Sequence, residues 1–315
     1  MAESQIDESS SKTQIILLLI LSVSMISSAS IFIRLSTSPP LVIVFWRTLY
    51  GAVLMASIGA VRRDFSALRK PVVKQNWHWL IAIGITLSLH FSTWFQSLFM
   101  TTVAASVVLV NASPIFTAIL STIILGEALR RRSWIGVIIA VVGAVILAWG
   151  DFGGSGIIAL TGDILALTGA LFLALYFIGG RRFAKEMPIT VYTSVIYLVA
   201  AITTLGICIP LNLNVLVFEP SEVLIFLALA IFPTVLGHSV NNYLLTKVPA
   251  YVVSSAVLGE PIGAAILAAI IFTEIPGSII VIGFIVILIG VAIVLADVAA
   301  KARSRVLPFD NTDGS

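Results

Sequence analysis

Charge is scarce in this chain: aspartate, glutamate, lysine and arginine make up 10% of its 315 residues, against 59% hydrophobic residues. A soluble domain of this length needs more charge than that to cover its surface. The mean hydropathy is +1.11. The composition therefore excludes an ordinary soluble protein and predicts an integral membrane protein in a lipid bilayer. In that setting a net charge of +3 indicates lysine and arginine held on the cytoplasmic side, and not a nucleic-acid partner.

Cysteine and metal-binding motifs are also scarce. Cys208 is the only cysteine, so no intramolecular disulfide can form. No His-Glu-x-x-His motif is present, and we expect neither a metal nor a cofactor. The first apolar run lacks a small-residue cleavage site, which predicts that the first helix is its own insertion signal.

Long hydrophobic runs dominate the rest of the sequence. A membrane-spanning helix needs about 20 apolar residues, and ten runs approach that length. The predicted fold class is therefore an all-α integral membrane protein with ten transmembrane helices. The predicted spans are 14–34, 41–61, 77–99, 103–126, 134–150, 160–180, 189–211, 222–245, 249–273 and 278–297.

The basic residues support ten spans and orient them. When successive loops are assigned to alternating sides of the membrane, sixteen of the eighteen lysines and arginines fall on one side. The exceptions are Arg34, at the outer end of the first span, and Arg47, inside the second. By the positive-inside rule, the basic side is cytoplasmic. Both termini of this multi-pass cell-membrane protein are therefore expected in the cytoplasm.

The chain repeats itself after 147 residues. This shift places Pro114 on Pro261 and Glu127 on Glu274, at equivalent points of the fourth and ninth spans. A repeat unit of five spans is odd, so the second copy must enter the membrane from the opposite side. Inverted repeats of this kind are typical of secondary transporters.

The same shift superposes Gly136 on Gly283 and Gly143 on Gly290, which extends the repeat into the fifth and tenth spans. The predicted organisation is a polar N-terminal tail at 1–13, a first five-helix repeat at 14–150, a second, inverted five-helix repeat at 151–298 and a cytoplasmic tail at 299–315.

Several polar residues fall near the middle of the bilayer. Glu260 is the only acidic residue deep in a span, and it serves either substrate or proton transfer or a structural bond to a neighbouring carbonyl or asparagine. Pro114 and Pro261 each remove a backbone hydrogen bond, which makes them candidates for gating or for simple packing kinks. Asn111 lies close to Pro114 in the fourth span.

Two helix faces combine polar and aromatic side chains. His238, Asn241 and Asn242 share one face because their spacing is i, i+3, i+4. They either line a pathway or hold the bundle together by interhelical hydrogen bonds. His90 and Trp94 form a similar face in the third span, where a lone histidine fits a packed, hydrogen-bonded role as well as substrate binding.

The remaining charged residues near the spans have structural interpretations. Arg47 lies about six residues inside the outer end of its span, and we expect its long side chain to snorkel to the interface. If it faces inward instead, it could attract an anionic substrate. Glu127 and Glu274 are expected to pair with basic residues or to cap a helix.

Two segments carry a family resemblance: "ASPIFTAILSTIILGEALRRRSWIGVIIAVVGAVIL" and "VLGHSVNNYLLTKVPAYVVSSAVLGEPIGAAILAAIIFTE". Together with the ten spans in two repeats, they resemble the EamA family of the drug/metabolite transporter superfamily. The family motif ends in Gly-Glu, as at Gly126-Glu127, whereas the second copy ends in Thr273-Glu274. That departure bears only on local packing.

The resemblance implies a carrier that works without ATP hydrolysis and has a central cavity lined by the first, third, fourth, sixth, eighth and ninth helices. The substrate stays open. The positions of this chain that match the cavity are His90, Trp94, Asn111, Tyr176, His238, Asn242 and Glu260.

Repeat and resemblance together predict a secondary transporter of small metabolites, an amino acid or a similar amphiphilic solute, exported by alternating access around a mid-membrane polar cavity. Its expected partners are the small-molecule substrate, lipid and, as a candidate coupling ion, the proton; the chain is expected to act as a monomer or homodimer.

An intramembrane enzyme stays open as an alternative, although Asp151, Asp163 and Asp297 lie only at span edges. So does a channel, although two inverted halves form no ring of charges.

Overall fold

Helices make up all of the regular structure in the described part of the chain. The structure is a computed structural model that describes residues 2–125, 131–217, 219–247, 253, 256, 257 and 259–306. Within these ranges no β-strand is present, and the all-α class is confirmed. Glu127 lies outside the described residues.

The described residues form thirteen α-helices, with two short 3-10 helices (Asp64–Arg69 and Ala184–Glu186) and one π-helix (Ala230–Ser239) between them. In chain order the α-helices are α1 (Ala2–Ser27), α2 (Ala29–Leu35), α3 (Pro40–Val61), α4 (Pro71–Gln75), α5 (Trp77–Leu98), α6 (Val103–Val110), α7 (Ser113–Leu125), α8 (Arg131–Phe183), α9 (Ile189–Cys208), α10 (Pro220–Leu229), α11 (Val240–Lys247), α12 (Glu260–Phe272) and α13 (Ser278–Val306).

Six stretches of the described chain are long and apolar enough to cross a membrane. They are Thr13–Leu35, Pro40–Val61, Arg131–Gly150, Gly156–Glu186, Ile189–Cys208 and Pro220–Lys247. Shorter apolar helices cover Val103–Thr117, Glu260–Phe272 and Ser278–Ile293. The structure therefore shows several membrane spans, and the full count of ten stays a prediction.

Helix breaks explain why the spans are not all continuous. In α8 the helix turns at Gly156, whose φ of 71° and ψ of −148° are conformations that only glycine adopts readily. The predicted fourth span is divided at Asn111, because α6 ends at Val110 and α7 begins at Ser113. Pro114 thus stands in the first turn of a new helix, where its missing N–H costs no hydrogen bond.

Glycines let α8 and α13 cross in close contact. A Cβ atom on Gly283 would lie 2.9 Å from the Gly143 carbonyl oxygen, and one on Gly290 would lie 2.5 Å from the Gly136 oxygen. In the structure Gly283 contacts Gly143, and Gly290 contacts Gly136. The sequence repeat superposes the other two pairs, so the contacts run crosswise to the repeat. Crosswise pairing is what a two-fold axis produces, and the two helices run antiparallel. The closest helix crossing is therefore arranged as two inverted halves require.

The long α5 lies inside the bundle, where it packs against α3, α6, α8 and α9. Its inner face combines apolar side chains such as Leu87 and Phe91 with polar ones such as Ser88 and His90, all of them buried. A helix surrounded by other helices needs no uniformly apolar surface. This central position brings the polar face of α5 to the functional site.

Candidate functional site

A small central cavity lies between α1, α5, α6, α8, the π-helix with α11, and the start of α12. These segments belong to the first, third, fourth, sixth, eighth and ninth predicted spans. Four of the predicted site residues line it: His90, Trp94, His238 and Glu260. Its volume of about 20 Å³ holds one water molecule but no metabolite. The space that the structure shows here is therefore too small for a metabolite.

Glu260 and Asn111 join the two halves at this cavity. The Asn111 side-chain amide donates to Glu260 Oε2 at 3.1 Å and to the Val107 carbonyl at 2.9 Å. Asn111 directly follows α6, and Glu260 is the first residue of α12, where a carboxylate also faces the positive end of a helix. The two broken helices thus meet through a polar contact, with Pro261 in the first turn of α12.

His90 and Trp94 form one wall of the cavity. His90 Nδ1 lies 2.9 Å from the Gly169 carbonyl. Because a carbonyl only accepts, Nδ1 carries the hydrogen, and Nε2 of the neutral ring is left as an acceptor. The Trp94 ring stacks on the imidazole with centroids 6.0 Å apart. The Trp94 Nε1 donor is buried and has no hydrogen-bond partner among the described residues.

The predicted polar face of the eighth span divides into two groups. His238 and Asn241 line the cavity, and neither His238 Nδ1 nor the Asn241 amide has a hydrogen-bond partner among the described residues. Asn242 instead donates to the hydroxyl of Tyr176 at 2.5 Å and to the His238 carbonyl at 2.8 Å. Asn242 and Tyr176 are therefore brought together beside the cavity and are not part of its lining.

A π-helix shapes this region of the eighth span. Pro233 removes one backbone donor, and the hydroxyl of Thr234 bonds to the carbonyl of Leu229, five residues back, at 2.8 Å. Wide turns of this kind occur often at functional sites because they redirect side chains. Here the turn presents the Thr234 hydroxyl to the second span.

Arg47 lies inside the bundle beside this region, although it was not among the predicted site residues. It is fully buried, with 0% of its surface exposed, and its Nε donates to Thr234 Oγ1 at 2.7 Å. Its Cζ lies 4.1 Å from the ring centroid of Phe91 and 5.3 Å from that of Phe95. The expectation that it snorkels to the interface is therefore wrong, because a hydroxyl and two aromatic faces hold it inside the bundle. An arginine within an apolar run was the available signal.

Buried polar atoms without partners concentrate around this site. Among the described residues they include both terminal nitrogens of Arg47, Trp94 Nε1, His238 Nδ1, the Asn241 amide and Asn242 Oδ1. Each such atom costs about 1–3 kcal/mol when it is left unpaired. Native structures tolerate such groups mainly where a ligand, an ion or water completes them. No group of three metal-ligating side chains was found within the described ranges.

A carboxylate closes one end of the bundle. We call this the outer end; it is the end at which α2 and α12 finish and α6 and α10 begin. Glu222 in the first turn of α10 accepts from the hydroxyls of Ser36 and Ser38 at 2.5 and 2.6 Å. It also accepts from the backbone N–H of Thr37 at 2.8 Å. The turn between α2 and α3 is thus fixed to the eighth span.

A second carboxylate closes the same end. Glu274 accepts from the backbone N–H of Val103, the first residue of α6, at 2.6 Å, and lies 3.8 Å from Arg34. Arg34 also donates to the Leu98 carbonyl at 2.6 Å. Glu274 therefore both pairs with a basic residue and caps a helix, and it ties the second half of the chain to the first.

Comparisons with known proteins agree with this architecture. The sequence model of the EamA-like transporter family matches residues 13–149 and 160–296, two segments that start 147 residues apart. The uncharacterized transporter YyaM of Bacillus subtilis (strain 168) is 28% identical over 178 residues, a match that spans 54% of this chain and 58% of that relative. One crystal structure of another protein superposes with a TM-score of 0.64 at 20% identity, covering 90% of this chain and 97% of that one. That likeness concerns the fold alone.

Proposed function

Because the chain belongs to the EamA-like transporter family, we propose that it is a secondary transporter of a small metabolite. The solute is an amino acid or a similar amphiphilic molecule, and it leaves the cell by alternating access to the central cavity. Family membership and the name of the relative point to a transporter rather than an enzyme.

The contact between Asn111 and Glu260 is the observation that carries this proposal. It joins the broken helix of one half to the broken helix of the other, with unpaired polar groups around it. Transporters with inverted repeats bind their solutes at such breaks near the middle of the membrane. Irregular backbone is tolerated at this depth only where protein or a water-filled cavity satisfies it.

The closed cavity fits one stage of a transport cycle. Its lining combines apolar side chains with the polar ones of His90, Trp94, His238, Asn241 and Glu260. The space admits only water, and the contacts of Glu222 and Glu274 hold the outer end together. Opening that end requires both contacts to separate. With both termini in the cytoplasm and ten spans, as the basic residues predict, the outer end faces away from the cytoplasm. We propose that the structure represents the outward-closed stage.

Counterflow in proteoliposomes tests the proposal. Vesicles preloaded with an unlabelled amino acid should accumulate the labelled compound transiently and saturably, which neither a channel nor an enzyme produces. Glu260→Gln should lower the rate of counterflow by about tenfold or more, since a charged hydrogen-bonding group is lost from the site. Glu219→Gln, which removes an exposed carboxylate, serves as the control. Absence of counterflow across a panel of amino acids and amines would refute the transporter.

A further inference from the structure

The buried guanidinium of Arg47 lacks an anion. Only Nε has a hydrogen-bond partner, the hydroxyl of Thr234; both terminal nitrogens are buried and unpaired among the described residues. Arginine stays charged at this depth because its guanidinium is too basic to lose a proton. A buried charge inside a membrane span is costly unless a counter-charge pairs with it directly.

No carboxylate among the described residues is hydrogen-bonded to the terminal nitrogens of Arg47. Glu260 lies close enough for the two charges to attract, but it accepts from Asn111. Glu222 is surrounded by hydroxyls and a backbone N–H at the outer end. The protein itself therefore leaves the two terminal nitrogens of Arg47 available, and these are the paired donors that match a carboxylate in a two-pronged contact.

We propose that Arg47 is the anion-binding residue of the transport site, so that the transported solute carries a carboxylate, which binds the two terminal nitrogens of Arg47. This inference rests on the proposed function and narrows its substrate class. Thr234 positions the guanidinium through Nε, and the π-helix positions Thr234. Glu260 lines the cavity and remains available for a positively charged part of the same solute.

Phe91 packs between Arg47 and His238. Its ring lies against the guanidinium, with Cζ 4.1 Å from its centroid, and also contacts the imidazole of His238, with centroids 5.3 Å apart. His238 lines the cavity, whereas Arg47 does not. The ring of Phe91 therefore contacts both the guanidinium and a side chain of the cavity lining, and on our proposal it moves aside when the solute reaches Arg47.

A purely structural role makes a different prediction. In that case the guanidinium serves packing alone, through its contacts with Phe91 and Phe95. Replacing Arg47 would then lower the stability of the protein but would not change which solutes it binds. The acid-to-amide selectivity of binding separates these roles, because a packing residue has no reason to distinguish a carboxylate from its carboxamide.

Thermal-shift titration of the purified full chain measures this selectivity. The probes are common L-amino acids, each compared with its carboxamide and with the matching acid that lacks the amine; L-leucine, L-leucinamide and 4-methylpentanoate form one such set. Ligands that bind only the folded state raise the melting temperature. We expect the carboxylates to bind more tightly than the carboxamides in the wild-type protein.

Variants then assign the selectivity to a residue. Arg47→Gln should weaken binding of the carboxylates by about 10- to 100-fold and abolish the difference between acid and amide. Arg47→Lys retains the charge without the two-pronged geometry, so it should show an intermediate preference even if Arg47→Gln fails to fold. Arg69→Gln, at an exposed position, is the control and should keep the preference for acids.

Three results would overturn the inference: equal binding of acids and amides by the wild-type protein, an unchanged preference in both Arg47 variants, or no carboxylate that binds. Counterflow distinguishes this failure from failure of the proposed function. Transport of amines or amides alone would leave a transporter whose site does not use Arg47 for anions. If none of the probes gives counterflow, the proposed transport function itself is refuted.

Discussion

Loss of the Glu274 carboxylate should shift the transporter towards a state that is open at its outer end. Glu274 makes two contacts that separate on opening: a hydrogen bond of 2.6 Å from the Val103 N–H and an ion pair of 3.8 Å with Arg34. A hydrogen bond to a charged group contributes about 1.5–3 kcal/mol. The ion pair adds about 0–1 kcal/mol, because its side chains are 29% and 19% exposed and water screens them.

These magnitudes predict a graded series. Glu274→Gln keeps an oxygen that can accept from Val103 but removes the charge, so the closed state should lose about 1 kcal/mol, which is a five-fold change in population. Glu274→Ala loses both contacts and about 2–3 kcal/mol, which corresponds to a change of roughly 30- to 150-fold.

Labelling of a cysteine in the cavity measures this population. Leu173, which lines the cavity, is replaced by cysteine in a Cys208→Ser background, because Cys208 is the only native thiol. A membrane-impermeant maleimide added outside cells should react in the order Glu274→Ala, then Glu274→Gln, then wild type. Asp64→Asn is the control; Asp64 bonds Thr190 at the opposite end of the bundle and should not increase outside labelling.

Equal labelling in all three proteins would refute the reasoning, because the outer contacts would then not control access. Faster labelling in the Asp64→Asn control than in Glu274→Ala would place the exit at the other end of the bundle. Both outcomes can be read from initial rates, with maleimide in excess.

Three further predictions test the site, the helix crossing and the orientation. Glu260→Gln should abolish any pH dependence of counterflow while the melting temperature stays near that of the wild type. Gly290→Ala should lower stability by about 1–3 kcal/mol in thermal unfolding, because the new methyl group would press on the facing backbone; Gly206→Ala, with open space around it, should be neutral or stabilising by up to about 1 kcal/mol. Cysteine at Asn214 should be labelled from outside intact cells and cysteine at Ser66 should not, and the reverse pattern would invert the topology.

The sequence predicted the helical class and the two repeats because both depend on long patterns. Hydrophobic runs require only local composition, and the two-fold pairing of Gly143 with Gly283 follows once a repeat of five spans is recognised. The breaks at Asn111 and before Pro261 could also be expected from the sequence, because proline has no backbone N–H to donate and so interrupts the hydrogen bonds of a helix.

The direction of individual side chains was not accessible in the same way. Arg47 can either snorkel or turn inward from the same backbone position, and the choice depends on Thr234, which is 187 residues away in sequence. Asn241 and Asn242 are neighbours in α11 and point about 100° apart, so one lines the cavity and the other bonds Tyr176. Tertiary contacts determine which way such a side chain points, and the periodicity of the sequence does not show it.

The unpaired polar groups and the closed outer end have a common physical consequence. An empty, closed cavity leaves donors such as those of Arg47 and Trp94 buried without partners, which raises the free energy of that state. A bound solute with a carboxylate removes part of this cost, so the loaded site closes more readily than the empty one. With the alternating access that we propose, the loaded site then closes and reopens in preference to the empty one, and exchange of solute is favoured over return of the empty site. The unpaired groups that raise the free energy of the empty site are therefore the groups that couple closure to the bound solute.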